Sequence, residues 1–252
     1  MRSRKVTART LSHIRLLRRL KAPMAYFSAI AVLFLIVHYT LSASEESTIV
    51  VYGEYPVVME LGRGKFEQKS SPDIERLFSF EEGGDYRKNA RIAGLHFLSA
   101  NIYGYTFFYR PGSILMKTEE TFDLELRGTV NENLVLPLGD GIYNNMYRVK
   151  LGFRITSSVE KWLGAFRSNT LRLTDAEGTS DFYAGFNGRG EAYREALRNL
   201  VLVAAKKKLS SKPLSLKGDI LIVGNPEFAV GAGRHYCRVY GYVNFVEIIT
   251  YQ

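Results

Sequence analysis

Two residue pairs in this sequence have the types and spacing that catalysis or metal binding would need. His235 and Cys237 are one residue apart in a predicted strand, so both side chains face the same way and could bind a metal ion or act as base and nucleophile. Ser158 and Lys161 match the serine–lysine acyl-transfer pattern at helical spacing. The first pair lacks a third ligand or orienting group nearby, and the companion motifs of the second are missing. We interpret His235 as a rim histidine, Cys237 as a packed cysteine and Ser158 as part of a helix cap.

Acidic residues gather at two places, and carboxylate pairs can carry out glycoside hydrolysis. The clusters are Glu81, Glu82 and Asp85, and then Glu119, Glu120 and Asp123. Both fall at predicted element boundaries, where solvated charges are common. The sequence therefore predicts no catalytic residue, no metal site and no cofactor, and a protein that is not an enzyme. An enzyme whose site follows no familiar pattern stays as the third alternative for its function.

Aromatic side chains, with 16 tyrosines and 15 phenylalanines in the chain, are prominent in two predicted strands. Tyrosine is favoured at protein interfaces and also on ordinary sheet faces, so a core role and a binding role are both open at this point. If the rings are exposed, they form an interaction surface. The candidate residues for that surface are Tyr103, Tyr105, Phe107, Tyr109, Tyr240 and Tyr242.

The positive charge of the chain is concentrated at its beginning. Residues 1–44 contain eight basic residues and no acidic one, so they carry +8 of the net charge of +9. The remaining residues contain 26 basic and 25 acidic side chains. Because nucleic-acid-binding proteins usually carry their basic excess in the folded domain, we predict no nucleic-acid partner. The single cysteine excludes an intramolecular disulfide framework.

Residues 25–42 form an apolar run without a charge or a proline. A helix of these residues would be about 27 Å long, close to the thickness of bilayer hydrocarbon. Because the basic residues precede the run, the positive-inside rule keeps the N-terminus in the cytoplasm and exports the rest. We predict a basic cytoplasmic segment at 1–24, a transmembrane signal anchor at 25–42 and a single extracytoplasmic domain at 45–252. The alternatives are a signal peptide cleaved near Ser44, which leaves a soluble periplasmic protein, and a mitochondrial presequence followed by an inner-membrane span.

Three helices are predicted in residues 45–252. Residues 191–209 place apolar side chains at i, i+3, i+4, i+7, i+8 and i+11 from Tyr193, which is one stripe at helical period. Residues 85–101 show a wider apolar stripe, which predicts a more buried helix. Residues 158–166 predict a third, shorter helix, with Ser157 and Glu160 at capping-box spacing.

The other segments with apolar or alternating patterns predict strands. Their ranges are 48–54, 57–61, 102–109, 122–130, 147–156, 214–223 and 235–251. The alternation favours antiparallel pairing with one solvated face. We therefore predict an α+β fold in which a mostly antiparallel sheet is packed by two main helices and preceded by one N-terminal transmembrane helix.

A glycine-rich segment and a repeated short sequence each have more than one interpretation. The segment Asp175–Arg189 contains several glycines among polar residues, which predicts a long loop or a hinge. A Tyr-Gly-Tyr sequence occurs in each half, around Gly104 and Gly241, and a helix precedes each. The two halves could each be a strand–helix–strand unit, or the two helices could be unrelated elements on one sheet.

Four stretches of the sequence carry a resemblance to a known family. They are the run from Ala90 to Pro111, the acidic strand from Glu119, the helix from Glu191 and the strand from Lys212. Together they resemble a family of exported bacterial proteins of unknown function, over most of residues 48–252. The resemblance implies export and a mixed sheet–helix fold, and it implies nothing about chemistry.

The anchor, the aromatic strands and the missing catalytic set favour a non-enzymatic function. We expect a scaffold or interaction component of the bacterial cell envelope, bound to the inner membrane by one span at 25–42, with its body in the periplasm and an envelope protein as partner. The alternative is a periplasmic small-molecule or glycan-binding domain with a tyrosine-lined cleft.

The fate of the apolar run can be measured directly. We expect mass spectrometry of the mature protein to find residues 1–44 still attached, because the basic region before the apolar run is longer than that of a typical signal peptide. A mature species that begins near Glu45 would show that the run is a cleaved signal peptide.

Overall fold

The computed structural model describes residues 48–57, 74, 77–79, 84–113, 117–168 and 171–250. The predicted cytoplasmic segment 1–24, the predicted span 25–42 and all but Val57 of the predicted strand 57–61 lie outside these ranges. Among the helices that are described, none is both long and apolar enough to cross a bilayer. Residues Ser47–Gln252 form one compact unit.

The described part contains three α-helices and nine strands. The helices are α1 (Tyr86–Ile102), α2 (Ser157–Phe166) and α3 (Phe186–Lys206). The strands are β1 (Thr48–Pro56), β2 (Tyr105–Arg110), β3 (Thr121–Leu126), β4 (Val135–Tyr143), β5 (Met146–Arg154), β6 (Thr174–Asp181), β7 (Pro213–Ile222), β8 (Glu227–Gly231) and β9 (Arg234–Thr250). Short 3-10 turns at Glu132–Leu134 and Phe182–Ala184 precede β4 and α3.

All three predicted helices are present, and their first residues differ slightly from the prediction. The carboxylate of Asp85 caps α1 by accepting hydrogen bonds from the backbone N–H groups of Arg87 and Lys88, at 3.0 and 3.2 Å. The cap of α2 is Thr156 and not Ser157. Helix α3 begins five residues before Glu191, inside the segment that was predicted to be a loop or hinge.

Six of the predicted strands correspond to β1, β2, β3, β5, β7 and β9, whereas β4, β6 and β8 were not predicted. The interpretation of Asp175–Arg189 as a loop or hinge is wrong, because residues to Asp181 belong to β6 and residues from Phe186 belong to α3. Strand β6 has few apolar side chains because it lies at the end of its sheet and presents one face to solvent.

The strands form two sheets with antiparallel pairing throughout. One sheet has the order β1-β5-β4. The other has the order β3-β2-β7-β9-β6, and β8 also pairs with β9. The prediction of an α+β fold with mostly antiparallel sheets is therefore confirmed, with two sheets in place of one.

The two halves of the described chain repeat one arrangement. The order β1-α1-β2 is followed later by β6-α3-β7, and the last strand of each half pairs with the first strand of the same half. That last strand is in each case the second arm of a hairpin, β4–β5 or β8–β9. Each of these helices therefore lies between two strands of its half, which is the first of the two interpretations that the sequence allows. The Tyr-Gly-Tyr sequences do not correspond, because Gly104 joins α1 to β2 whereas Gly241 lies within β9.

One glycine in each half allows the helix to lie directly on the first strand. A Cβ atom at Gly53 in β1 would overlap the carbonyl oxygen of Ala90 and the backbone of Gly94 in α1. A Cβ atom at Gly178 in β6 would overlap backbone atoms of Ala192 and Ala196 in α3 in the same way. Helix and strand backbones therefore touch at these two places, and only glycine leaves room for that contact.

The main core lies between the second sheet and helices α1 and α3. Paired residues of β2, β7 and β9, namely Tyr105, Ile220 and Val243, share the face towards this core and are buried. On the opposite face, α2 covers the part around Leu221, which packs with Leu163 and Phe166. Other parts of that face are exposed, as at Thr106, Asp123 and Arg238, so several strands of the sheet alternate apolar and polar residues.

The two helix–strand contacts can be tested with alanine substitutions. We expect Gly53→Ala and Gly178→Ala each to lower the free energy of unfolding by about 3 kcal/mol, because the added methyl group must push a helix backbone away from its strand. The measurement is urea unfolding followed by circular dichroism. The matched control is Gly164→Ala in α2, where no atom lies within 4 Å of the new Cβ, and where alanine should stabilise the helix slightly. Equal effects at all three positions would contradict this account.

Candidate functional site

A cavity of about 280 Å³ lies between the two halves of the fold. Strands β1 and β5 supply Glu54 and Arg148 on one side, and α3 and β8 supply Arg189 and Phe228 on the other. Phe97 of α1 contributes to the apolar lining. The cavity therefore combines side chains that are far apart in the sequence and meet only when both halves are folded.

The carboxylate of Glu54 is shared by two arginines. One oxygen accepts a hydrogen bond from Nε of Arg148 at 2.7 Å and also contacts Nη2 of that residue, and the other accepts from Nη2 of Arg189 at 3.0 Å. Burial raises the pKa of Glu54, but Arg189 and Arg148 outweigh this effect and hold it below its ordinary value. Glu54 therefore stays ionised at neutral pH.

Aromatic rings pack against both guanidinium groups. The Arg189 guanidinium lies 4.3 Å from the centroid of the Phe228 ring and 5.8 Å from that of Phe186. The Arg148 guanidinium lies 5.5 Å from the ring of Tyr52. These cation–π contacts and the shared carboxylate fix the two positive groups in direction as well as in place.

Two asparagine side chains hold the loop between β7 and β8 against the first half. Asn225 accepts a hydrogen bond from the backbone N–H of Tyr52 at 2.9 Å and donates one to its carbonyl at 2.7 Å. Asn101 of α1 forms the same pair with the backbone of Gly224, at 2.8 and 2.9 Å. Each side-chain amide forms the pair of backbone hydrogen bonds that a neighbouring strand would otherwise form. This loop is therefore a fixed wall of the cavity.

A buried chain of polar side chains lies in the core near the cavity. Nε2 of His96 is hydrogen-bonded to the hydroxyl of Tyr105 at 2.7 Å, and that hydroxyl to the hydroxyl of Tyr193 at 2.9 Å. Burial raises the pKa of Tyr193 well above its ordinary value, and burial lowers the pKa of His96 to about 4. His96 and Tyr193 are therefore neutral at physiological pH, and the three side chains link α1, β2 and α3.

The structure separates the six aromatic residues that were predicted as an interaction surface. Tyr105, Phe107 and Tyr109 are buried on the core face of the second sheet. Tyr240 and Tyr242 lie on β9 towards the opposite face, where Tyr242 packs beside the α2 cluster, and β7 runs between the two groups. Tyr103 is partly buried at the end of α1. The first three rings are thus core residues, and no single surface contains all six.

The residue pairs that were considered for catalysis or metal binding lie in places where they have structural roles. Cys237 is fully buried, as predicted, and burial raises the pKa of its thiol. His235 is also buried, stacked on Phe182 with ring centroids 5.6 Å apart, so its interpretation as a rim residue is wrong. The hydroxyl of Ser158 lies 3.0 Å from that of Thr156 at the exposed start of α2. Within the described ranges, no three histidine, cysteine or acidic side chains are close enough to hold a metal ion.

The acidic clusters are partly explained by neighbouring contacts. Asp85 caps α1, and Glu120 accepts a hydrogen bond from the hydroxyl of Tyr109 at 2.8 Å and pairs with Arg198 at 2.9 Å. Glu81 and Glu82 lie outside the described residues. Asp85 therefore stabilises the start of α1, and Glu120 stabilises the surface of α3.

A family model for proteins of uncharacterised type matches residues 38–251. The chain belongs to this family. No curated protein matches it, and no solved structure does so either. The family match spans both halves of the described fold, so the cavity and its arginines lie entirely within the family region.

No local pattern in the sequence marks Glu54, Arg148 or Arg189 as site residues. Glu54 is 94 residues from Arg148 and 135 from Arg189, and none of the three belongs to a motif. The only signal available was the mixture of charged and aromatic residues in β1 and β5, which is common on solvated strands. Their meeting depends on the packing of the two halves.

The buried His96 should make stability depend on pH. The unfolded chain takes up a proton at this residue near pH 6.5, whereas the folded chain resists it until about pH 4. Folding therefore favours the neutral form of His96. The contribution of this residue to the free energy of unfolding is fully present above pH 6.5 and is lost as the pH falls towards 4. We expect a loss of about 3 kcal/mol over this range, relative to the His96→Gln variant.

The measurement is the free energy of unfolding in urea for both proteins across this pH range. His96→Gln has no group that titrates at this position, so the difference between the two proteins isolates His96 from the carboxylates. Parallel pH profiles for the two proteins would contradict the assignment.

Proposed function

We propose that the chain is a membrane-anchored scaffold of the bacterial cell envelope that binds a protein partner through an apolar surface on β4. The anchor is supported by the sequence, in which an apolar run at 25–42 follows a basic segment. The proposal therefore has the protein in the inner membrane, with its body in the periplasm. The surface on β4 is the observation on which the proposed binding rests.

The β4 surface consists of the apolar side chains of Leu138 and Tyr143, which solvent reaches on one face of β4. Their exposed fractions are 45% and 58%, and Tyr143 lies at the end of the β4–β5 hairpin. Both lie on the face that carries Arg148, because the Arg148 guanidinium is 5.5 Å from the Tyr143 ring and Leu138 lies close to Gly152. Exposed apolar side chains that lie together on one face are typical of a binding surface.

The backbone of β4 is less suited to binding than its side chains. Pro137 removes one donor, and the register shifts between Pro137 and Gly139, where Gly139 has φ of +140°. Proline and bulges are devices that prevent an added strand from pairing along an edge. We therefore propose docking through side chains, and not the addition of a strand from the partner.

The charges beside the β4 surface indicate the chemistry of the partner. Arg148 and Lys150 on β5 are paired with Gly141 and Gly139, so they flank the apolar side chains on the same sheet. Glu54 neutralises only one positive charge in this region. The complementary partner is a protein surface that is apolar at its centre and acidic at its rim.

Site-specific photo-crosslinking in cells tests this proposal. We expect a photoreactive phenylalanine analogue at Tyr143 to give one reproducible adduct with another envelope protein. The same analogue at Tyr183, which is 73% exposed on the turn before α3, should give no such adduct. Both positions replace an exposed tyrosine, so accessibility to the probe is matched.

A second substitution separates docking from folding. Leu138→Lys should abolish the adduct at Tyr143, while the free energy of unfolding stays within about 0.5 kcal/mol of the parent because the side chain is exposed. The proposal fails if no adduct forms, if Leu138→Lys leaves the adduct intact, or if Tyr183 gives the same product. An adduct only with a second copy of the chain would replace it with self-association.

A further inference from the structure

We propose that the cavity between the two halves binds a small molecule that carries a carboxylate on a single-ring aromatic body. This site adjoins the β4 surface, because Arg148 contributes to both, but its occupation does not depend on the scaffold proposal. It gives a specific location to the alternative function considered from the sequence, a small-molecule-binding domain. Four properties of the cavity support the proposal: its size, its unused donors, its aromatic lining and the fixed position of its walls.

The size of the cavity limits the ligand to a small molecule. Pockets for small ligands usually begin at about 300 Å³, and the cavity measures about 280 Å³. One aromatic ring with a short substituent fits such a volume, whereas an oligosaccharide or a nucleotide does not. The fixed loop at Asn225 and Gly224 prevents easy enlargement on that side.

The two arginines have more donors than their internal partner can use. Each guanidinium has five N–H donors, and the carboxylate of Glu54 takes only two from Arg148 and one from Arg189. Nη1 of Arg189 has a further, weak contact with the sulfur of Met146 at 4.0 Å. Both arginines line the cavity, so their remaining N–H groups can bind a second carboxylate.

The rest of the lining suits an aromatic ring. Phe78, Phe97 and Phe228 line the cavity, and Phe78 packs against the other two with ring centroids 6.4 and 5.7 Å away. Aromatic rings pack well in edge-to-face and tilted arrangements of this kind. A ligand ring among these phenylalanines would place its carboxylate next to the arginines.

Glu227 gives the proposal a second, independent test. It also lines the cavity, is exposed and has the wrong charge for a carboxylate ligand. Its removal should therefore strengthen the binding of an anion, whereas it would weaken the binding of a ligand with an ammonium group. A purely structural role for the arginines predicts neither change.

The experiment is calorimetric titration of the full-length protein with benzoate and with benzamide, its neutral counterpart of the same shape. We expect benzoate to bind and benzamide to bind about tenfold more weakly, because a charge-assisted hydrogen bond is replaced by a neutral one. Arg148→Gln and Arg189→Gln should each weaken benzoate binding about tenfold. Glu227→Gln should strengthen it.

The control is Arg238→Gln, which removes an arginine paired with Asp175 at 2.7 Å on β9, outside the cavity lining. This variant should bind benzoate like the parent. If Arg189→Gln fails to fold, Arg148→Gln still decides the outcome, because Arg148 is half exposed and tolerates change. The proposal is overturned if benzoate does not bind at millimolar concentrations, if benzamide binds equally well, or if Arg238→Gln weakens binding as much as Arg148→Gln.

Discussion

The close contact between a helix and the first strand of its half determines much of this structure. At Gly53 and at Gly178 the missing side chain lets the helix backbone lie against the strand. This contact sets the height of α1 and α3 above the strands, and therefore the depth at which their apolar side chains enter the core. It also brings Arg189, near the start of α3, within reach of Glu54 on the first strand of the other half.

The two halves are joined by polar contacts as much as by apolar packing. The shared carboxylate of Glu54, the amides of Asn101 and Asn225 and the buried hydroxyls of Tyr105 and Tyr193 all connect elements of different halves. Such contacts contribute little net stability, but each demands one geometry and penalises alternatives. They define how the two halves fit together, and the cavity is a consequence of that fit.

The sequence predicted the elements with strong periodicity and missed those defined by their neighbours. Helices α1 and α3 were found because one face of each is apolar over several turns. Strand β6 was missed because it lies at a sheet end and owes its place to Gly178, whose role is visible only with α3 in position. The same reason applies to Glu54, Arg148 and Arg189, since no local pattern encodes contacts between distant charges. The aromatic strands were recognised, but alternation alone could not decide which face of the sheet would be covered.

The hydrogen bonds between Asn225 and Tyr52 have a consequence for the order of folding. They join residues 173 positions apart, so the first strand cannot complete its contacts until nearly the whole chain is available. Closing so long a loop costs entropy before any contact compensates for it, and structures rich in such contacts fold slowly. We expect the cavity wall to be among the last parts to form during folding, with the hairpins β4–β5 and β8–β9 forming early. Pulse-labelling hydrogen exchange would show this as late protection of the Tyr52 amide, and early protection of that amide would contradict it.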